Sequence, residues 1–394
     1  MQHEHGEPQL PIAVVAGIEV NGLGVLRSFA KVGIRTIALD TDLSTPTSGT
    51  RFGKKVEVPA LSGEAFVDAL LRVAATLDQK PVLILTQEDS VETVSAARDQ
   101  LSGAYHFSMP SQDTMQLLMN KSTFQRCAES LKCPIPRSVR LSGELAAGSI
   151  SELQFPCVIK PVIKSVKYSA KFSKASKVAS AREAADLWLR MRDVVDEVIM
   201  QEWIEGDDSD VYFCLQYRGL LGTTPVSFVG RKICQWPLQV GGTASCTPAP
   251  DVSDELVVLT NCFFEAVGFV GLGSMEYKRD KRDNKFYMVE PTVGRTDYQE
   301  EVATLNGVNI PYAAYCGELG RPFPAAESID PPMAWRDSVS YRKARSAGAP
   351  DPMLEICPNA KIIDAHFRFD DPLPSVLQKL EPVNRRFKRL IGRA

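Results

Sequence analysis

The sequence predicts an α/β protein that turns to α+β in its central part. Three observations carry that prediction. Over residues 12–101, short apolar runs alternate with amphipathic helical stretches, the pattern of a small parallel sheet with helices on both faces. From Phe155 the texture changes to an apolar strand, a basic stretch, a helix, and further strands that read as hairpins. The segment from Gly271 to Arg295 then reads as two short strands joined by a charged turn. At 394 residues the chain is too long for one ordinary core, so two or three domains are expected.

The first unit is βαβ. Ile12 to Gly17 is a buried strand, Leu23 to Val32 an amphipathic helix, and Thr36 to Asp40 the next strand. The intervening turn, Gly17 to Gly24, is glycine-rich and opens a helix N-terminus, an anion site in principle. It lacks the third glycine of a dinucleotide fingerprint because position 27 is Arg, so a tight turn that packs the helix on the sheet is favoured over NAD binding. Further alternation follows: Val56 to Val58, a helix over 63–77, Val82 to Leu85, and a helix from Ser90 to Leu101. Asp40, Glu88 and Asp89 fall just after strand ends, where such sheets place ligand groups and where helix caps also occur. Ser111 caps the next helix, which runs through Met115, Leu118 and Met119 into a second amphipathic stretch ending at Leu131.

Beyond Phe155, the run Cys157-Val158-Ile159 closes on Lys160, and Lys164 to Lys177 is a basic, small-residue stretch. A helix (Ala181 to Met191) and the strand Val195 to Met200 lead into Gln201-Glu202-Trp203-Ile204, and Asp210 precedes the strand Val211 to Leu215. The hairpin partner Leu220 to Gly230 leads to Arg231, and Gly241 to Ser245 reads as a loop. After a helix from Asp254 to Val267 comes the charged hairpin, then a helix from Tyr312 to Leu319 and a proline-rich linker into a short C-terminal region. The residues Asn384 to Arg393 carry three apolar side chains among arginines and lysines, which fits a solvated terminal helix better than a membrane-surface or partner helix.

Composition narrows the classes. A net charge of −3 gives no global reason to expect nucleic acid. The first residues contain no apolar signal core, and no apolar run reaches the roughly 18 residues needed to span a bilayer. Nine cysteines without a C-x-x-C pair fit reduced thiols in a cytoplasmic protein. Four histidines leave little for a histidine-based triad or metal centre, so the chemistry is expected to use carboxylates and cations.

The charged hairpin supplies the carboxylates. It brings Glu276 and Glu290 onto neighbouring strands, and two acids sharing a site are best tolerated with a cation between them. Hard oxygen ligands suit Mg²⁺, which keeps several waters and nucleotide phosphates in its shell. The alternative is that Glu276 pairs with Lys278 or Arg279 on a solvated strand.

Taken in order, Lys121 after a helix, Lys160 ending a strand before a basic loop, the Gln-Glu-Trp-Ile segment and the two glutamates resemble the ATP-grasp superfamily from residue 12 to about residue 320. The resemblance implies an N-terminal Rossmann-like domain (residues 1–118), an ATP-grasp domain (residues 119–320) whose two α+β subdomains sandwich the nucleotide, with a lid at about 155–206, and a C-terminal extension (residues 321–394). By that resemblance Lys121 and Lys160 hold nucleotide phosphates, and Glu202, Trp203 and Ile204 read the adenine edge with help from the Gln201 or Glu202 side chain. Asp210 bonds the ribose. Glu276 and Glu290 bridge Mg²⁺ to the phosphates of ATP, and Arg231 and Arg295 neutralise charge on the transferred phosphoryl group. Surface salt bridges are the other reading of the two arginines.

Three departures stand out. Thr292 occupies the place of the family's second metal-binding Asn, Arg295 falls five residues after Glu290 instead of four, and lysines (Lys164, Lys167, Lys171, Lys174, Lys177) replace the loop's glycines. Within the superfamily the segments Glu276 to Asp280, Arg231 to Pro237 and Gly241 to Thr243 look most like carboxylate–amine ligases of the D-aspartate ligase type. The activity so implied is ATP-dependent joining of a small-molecule acid to an amine through an acyl phosphate, in a cytoplasmic enzyme for which a homodimer is a common arrangement. A non-catalytic ATP-binding or scaffold protein that keeps the fold is the alternative.

Overall fold

Ala13 and Val15 point to one side of the first strand and Val14 and Ala16 to the other, and all four are fully buried. Such a strand needs apolar cover on both faces, and the chain supplies it. The computed structural model describes residues 10–143, 150, 153–162, 166–173, 175–219 and 225–390. Lys164 and Lys174 of the expected basic loop, the start of the expected strand at Leu220, and the last four residues lie outside them. The N-terminal sheet is β1 (Ala13–Ala16), β2 (Thr36–Asp40), β3 (Lys54–Glu57) and β4 (Val82–Leu85), all parallel in the order β3-β2-β1-β4. Val14, Ala16, Leu39 and Leu83 pack with Phe66, Leu70 and Val91 of the helices Gly63–Ala74 and Glu88–Ala96. Ala13, Val15 and Ala38 pack with Val25, Leu26 and Phe29 of the helix Val20–Lys31, and with Val302, Ala303 and Ala313 from much later in the chain.

The expected anion site in this domain is filled from within. The Asp40 carboxylate accepts hydrogen bonds from the N–H groups of Ile18 (2.6 Å) and Thr41 (2.7 Å). Arg27, where a dinucleotide fingerprint would have glycine, is buried and donates to the carbonyls of Ala365 and His366 and to the Asp371 carboxylate. It therefore anchors the C-terminal part of the chain.

Two helices, Gln112–Met119 and Lys121–Ser130, connect this domain to the rest. Ser111 caps the first by accepting from Thr114 N, and Asn120 caps the second by accepting from Ser122 N and Thr123 N. The lid follows as an antiparallel sheet of β5 (Ser138–Ser142), β6 (Cys157–Pro161), β7 (Ser176–Val178) and β8 (Glu197–Glu202), in the order β5-β8-β6-β7. It has a core of its own, with Ile159, Trp188, Met191, Val198 and Met200 buried together beneath the helix Ala181–Met191. The lid begins at β5, earlier than residue 155, because Arg137 and Ser138 pair with the end of β8.

The large sheet comprises β9 (Val211–Arg218), β10 (Val226–Trp236), β11 (Gly242–Pro248), β12 (Gly271–Arg279), β13 (Phe286–Val293), β14 (Met333–Arg336) and β15 (Lys361–Asp364), in the order β13-β12-β9-β10-β11-β14-β15. Gly241 to Ser245, expected as a loop, enters β11, which pairs with β10 on one side and β14 on the other. The residues after 320, expected as a separate extension, likewise supply β14 and β15 to this sheet. They end in the helix Leu373–Leu390, which lies against Gly49 of the N-terminal domain. Tyr212, Cys214, Met275, Tyr277 and Met288 bury one face of the sheet against Leu256, Phe263 and Phe264 of the helix Ser253–Ala266. The opposite face carries the site.

Candidate nucleotide site

Strand alternation assigns the residues of that face. Met275 and Tyr277 enter the core, so Ser274, Glu276 and Lys278 point the other way. Glu276 lies directly opposite Glu290 in the hairpin register, and Ser274 opposite Thr292. Immediately beyond, Val289 is an extra residue in β13, a bulge at the edge of the site. The hairpin thus sets two carboxylates side by side, as its sequence predicts.

One cavity between the lid and the large sheet is lined by Lys121, Lys160, Gln201, Glu202, Trp203, Ile204, Glu276 and Glu290. Eight of the twelve expected site residues therefore meet in a single cleft. An adjoining cavity shares Lys121, Lys160, Gln201 and Glu290 with the first and adds Thr292 and Arg295, together with Glu88 from the N-terminal domain. The remaining two stand apart. Arg231 donates from Nε to the carbonyl of Ser209, has a nitrogen 3.8 Å from Asp210, and lies over the Tyr212 ring. Asp210 also accepts from Asp207 N and lies 3.4 Å from Lys281. Neither lines either of these two cavities; they pair with each other at the start of β9.

Sequence reasoning missed Lys232. Its side chain is buried, and its ammonium donates to Glu276 Oε2 at 2.5 Å and to Gln235 Oε1 at 3.1 Å. Burial alone would push its pKa down; Glu276, Asp297 and Glu290 outweigh that, and the pKa is raised. Glu276 is pushed up as well, first by burial and then by Glu290 and Asp297, against the opposing pull of Lys232. The only sequence signal for this pairing was the adjacency of Lys232 to Arg231, the residue singled out instead. Neither Lys278 nor Arg279 is the partner of Glu276.

Asp297, Tyr298, Gln299, Gln235, Gln239 and Lys278 also line the first cavity. Ser274 Oγ donates to Asp297 Oδ2 at 2.8 Å. Asp208 fixes the 235–239 turn, accepting from Gln235 N, Gln235 Nε2 and Gln239 N. Gly241 has no alternative residue here, since a Cβ would fall 2.0 Å from the Trp236 carbonyl carbon.

At the far end, Trp203 has an ammonium over its ring from Lys177 (4.4 Å) and another from Lys278 (4.5 Å). Among the described residues of the basic stretch, Lys177 reaches Trp203 in the cleft, and Lys167 donates to the Asp193 carbonyl. Trp203 N–H donates to Pro156 O, and Arg282 donates to the Trp203 carbonyl. The Glu202 N–H is engaged as well, donating to the Arg137 carbonyl. The Glu202 carboxylate itself accepts from Gln154 N.

The donor set at Glu276 and Glu290 suits Mg²⁺. Both are hard oxygen ligands, and the Lys232 ammonium already on Glu276 shows that a cation is accommodated there. Among the described residues no group of three His, Cys, Asp or Glu could hold a metal. Glu276 and Glu290 would hold such an ion, with the rest of its shell left to water and ligand oxygens.

A lid closing over a large antiparallel sheet, with two lysines opposite paired glutamates in the cleft between, defines the ATP-grasp fold, and this chain has it. No family model matches the sequence. The chain is 25% identical over 320 residues to D-aspartate ligase of Enterococcus faecium (strain Aus0004), covering 76% of this chain and 74% of that protein. The fold is shared with N5-carboxyaminoimidazole synthetase from Staphylococcus aureus, solved with ADP (TM-score 0.63, 14% identity, 83% of this chain and 82% of that one). It is also shared with the biotin carboxylase domain of Hydrogenobacter thermophilus 2-oxoglutarate carboxylase, solved with MgADP and bicarbonate (TM-score 0.61, 13% identity, 82% and 72%). No helix among the described residues is long and apolar enough to cross a membrane.

Proposed function

We propose that the protein is an ATP-dependent carboxylate–amine ligase with Mg²⁺ as its metal. The observation that carries this reading is the Glu276–Glu290 pair facing Lys121 and Lys160 across one cleft. Similarity to D-aspartate ligase over three quarters of the chain supports the reaction class.

In this reading the adenine lies along Glu202 to Ile204, and Lys121 and Lys160 neutralise the phosphates as point charges. Glu276 and Glu290 hold Mg²⁺, which draws charge from the terminal phosphates when bound. A carboxylate oxygen of the acid attacks the γ-phosphorus in line, ADP leaves, and an acyl phosphate forms. The amine then attacks the acyl carbon; phosphate departs and the amine gives up its proton. Arg295, beside Thr292 in the adjoining cavity, neutralises charge on the phosphoryl group. No side chain need act as a nucleophile, and positioning with charge neutralisation supplies most of the rate.

The test is phosphate release from ATP and Mg²⁺ with a panel of acids and amines. Glu290 is solvent-exposed, so Glu290→Gln should fold normally while losing on the order of 10²-fold or more in rate. Full activity in that variant would remove the metal assignment. ATP binding with no turnover on any pair would favour a non-catalytic nucleotide-binding protein.

A further inference from the structure

Lys121 and Lys160 belong to separately packed parts of the protein. Lys121 opens the helix Lys121–Ser130, whereas Lys160 sits on β6 of the lid, which has its own core. Something must set the distance between their ammonium groups. A chain of side-chain hydrogen bonds spans the gap. Lys160 Nζ donates to Gln201 Oε1 (3.1 Å), Gln201 Nε2 donates to Gln125 Oε1 (2.9 Å), and Gln125 Nε2 donates to Glu129 Oε1 (2.8 Å) and to the Pro136 carbonyl (2.7 Å).

The order of donors is forced. An ammonium has only N–H to offer, so Gln201 must turn its oxygen to Lys160 and its nitrogen to Gln125. Gln125 must then present its oxygen to Gln201, leaving its nitrogen for a carboxylate and a carbonyl, which can only accept. Both amides are buried, 5% exposed at Gln125 and 8% at Gln201, so these bonds meet most of their hydrogen-bonding capacity. The result is a one-way series of dipoles from the Lys160 cation to the Glu129 anion, in which each bond polarises the next. Gln125 also lies one helical turn beyond Lys121, so the helix that presents one lysine holds the other.

Resting on the nucleotide-binding reading above, we propose that Gln125 is a positioning residue for the phosphates. Acting through Gln201, it aims the Lys160 ammonium into the cleft and sets its spacing from Lys121. A plain staple between helix and lid would instead affect every ligand of the cleft alike. With the Gln201 amide committed to Lys160 and Gln125, the adenine end falls to residues 202–204, so loss of Gln125 should weaken ligands that carry phosphates and spare those that do not.

Calorimetric titration of the full chain with MgATP and with adenosine separates the two. Gln125→Leu is expected to weaken ATP about tenfold and leave adenosine within about twofold. Gln125→Glu should weaken ATP similarly, because a carboxylate cannot donate to Glu129 or Pro136. Adding Glu129→Gln to it restores a donor facing residue 125 and should recover part of the lost ATP binding, the Pro136 carbonyl still lacking its donor. If Gln125→Leu does not fold, the comparison of Gln125→Glu with the double variant carries the test. Equal losses for ATP and adenosine, unchanged ATP affinity, or no recovery in the double variant would each overturn the proposal. A wild-type chain that binds adenosine and not ATP would overturn the phosphate roles of the lysines as well. One that binds neither would end the nucleotide reading itself.

Discussion

Lys232→Met deletes one ammonium and keeps most of the buried stem. Its partner Glu276 is then left facing Glu290 and Asp297 without the cation that offsets them. Removing one member of a buried pair costs about 3–5 kcal/mol, because the survivor stays desolvated. The lysine side chain is 4% exposed and the glutamate 23%, so water can take part of the burden at Glu276. That places the expected loss near the lower end, about 3 kcal/mol at pH 8.

The loss should depend on pH in a definite direction. The Glu276 pKa is already raised, and removing Lys232 raises it further. A carboxyl raised on folding contributes stability that is fully present below its unfolded pKa and is lost as pH rises through the folded one. The deficit of Lys232→Met relative to wild type should therefore be smaller at pH 5 than at pH 8, because protonation of Glu276 removes the charge left unpaired. Urea denaturation at both pH values, followed by tryptophan fluorescence and circular dichroism with coincident transitions, measures it. A deficit equal at the two pH values, or under about 1 kcal/mol at pH 8, would refute the pairing as the source of stability.

Two further outcomes follow from the same structure. Arg231→Gln should cost about 1–2 kcal/mol in urea denaturation by removing its bonds to Ser209 and Asp210, while phosphate release stays within about twofold of wild type. Glu300 is buried, its Oε1 accepts no hydrogen bond from the described residues, and its pKa is pushed up to about 8, chiefly by burial. Wild-type stability from this residue is therefore lost as pH rises toward 8, and Glu300→Gln should gain on wild type between pH 5 and pH 8 in denaturation measured at each pH.

Much of this was legible in the chain because local rules dominate there. The βαβ unit follows from runs such as Ala13 to Ala16 that are buried on both faces, and the Glu276–Glu290 register follows from a hairpin whose turn sits at Asp283 and Asn284. What escaped depends on contacts distant in sequence. Nothing near Met333 or Lys361 shows that these short runs join a sheet begun at Val211, since pairing between strands as distant in the chain as Cys246 and Trp335 leaves no local period. Arg231 and Lys232 differ by one position in the chain and by a whole face of the sheet. A strand reverses its side chains at each residue, so of two adjacent cations it is Lys232 that reaches Glu276 in the cleft.

The same alternation explains why the site can exist before any ligand arrives. Tyr277 and Met275 are locked into the core, and Tyr277 OH bonds Thr260 at 2.8 Å. Glu276 therefore cannot turn away from Glu290 without pulling two aromatic and thioether side chains out of packed surroundings. Left alone, the two acids would strain the hairpin, and Lys232 is placed to relieve that strain from β10. An ammonium at this position carries one charge where Mg²⁺ carries two. A metal held by Glu276 and Glu290 would therefore take over the neutralisation that Lys232 gives them, with twice the charge. On that ground Lys232→Met should gain more stability from MgATP than wild type does, since the variant begins with the larger unneutralised charge.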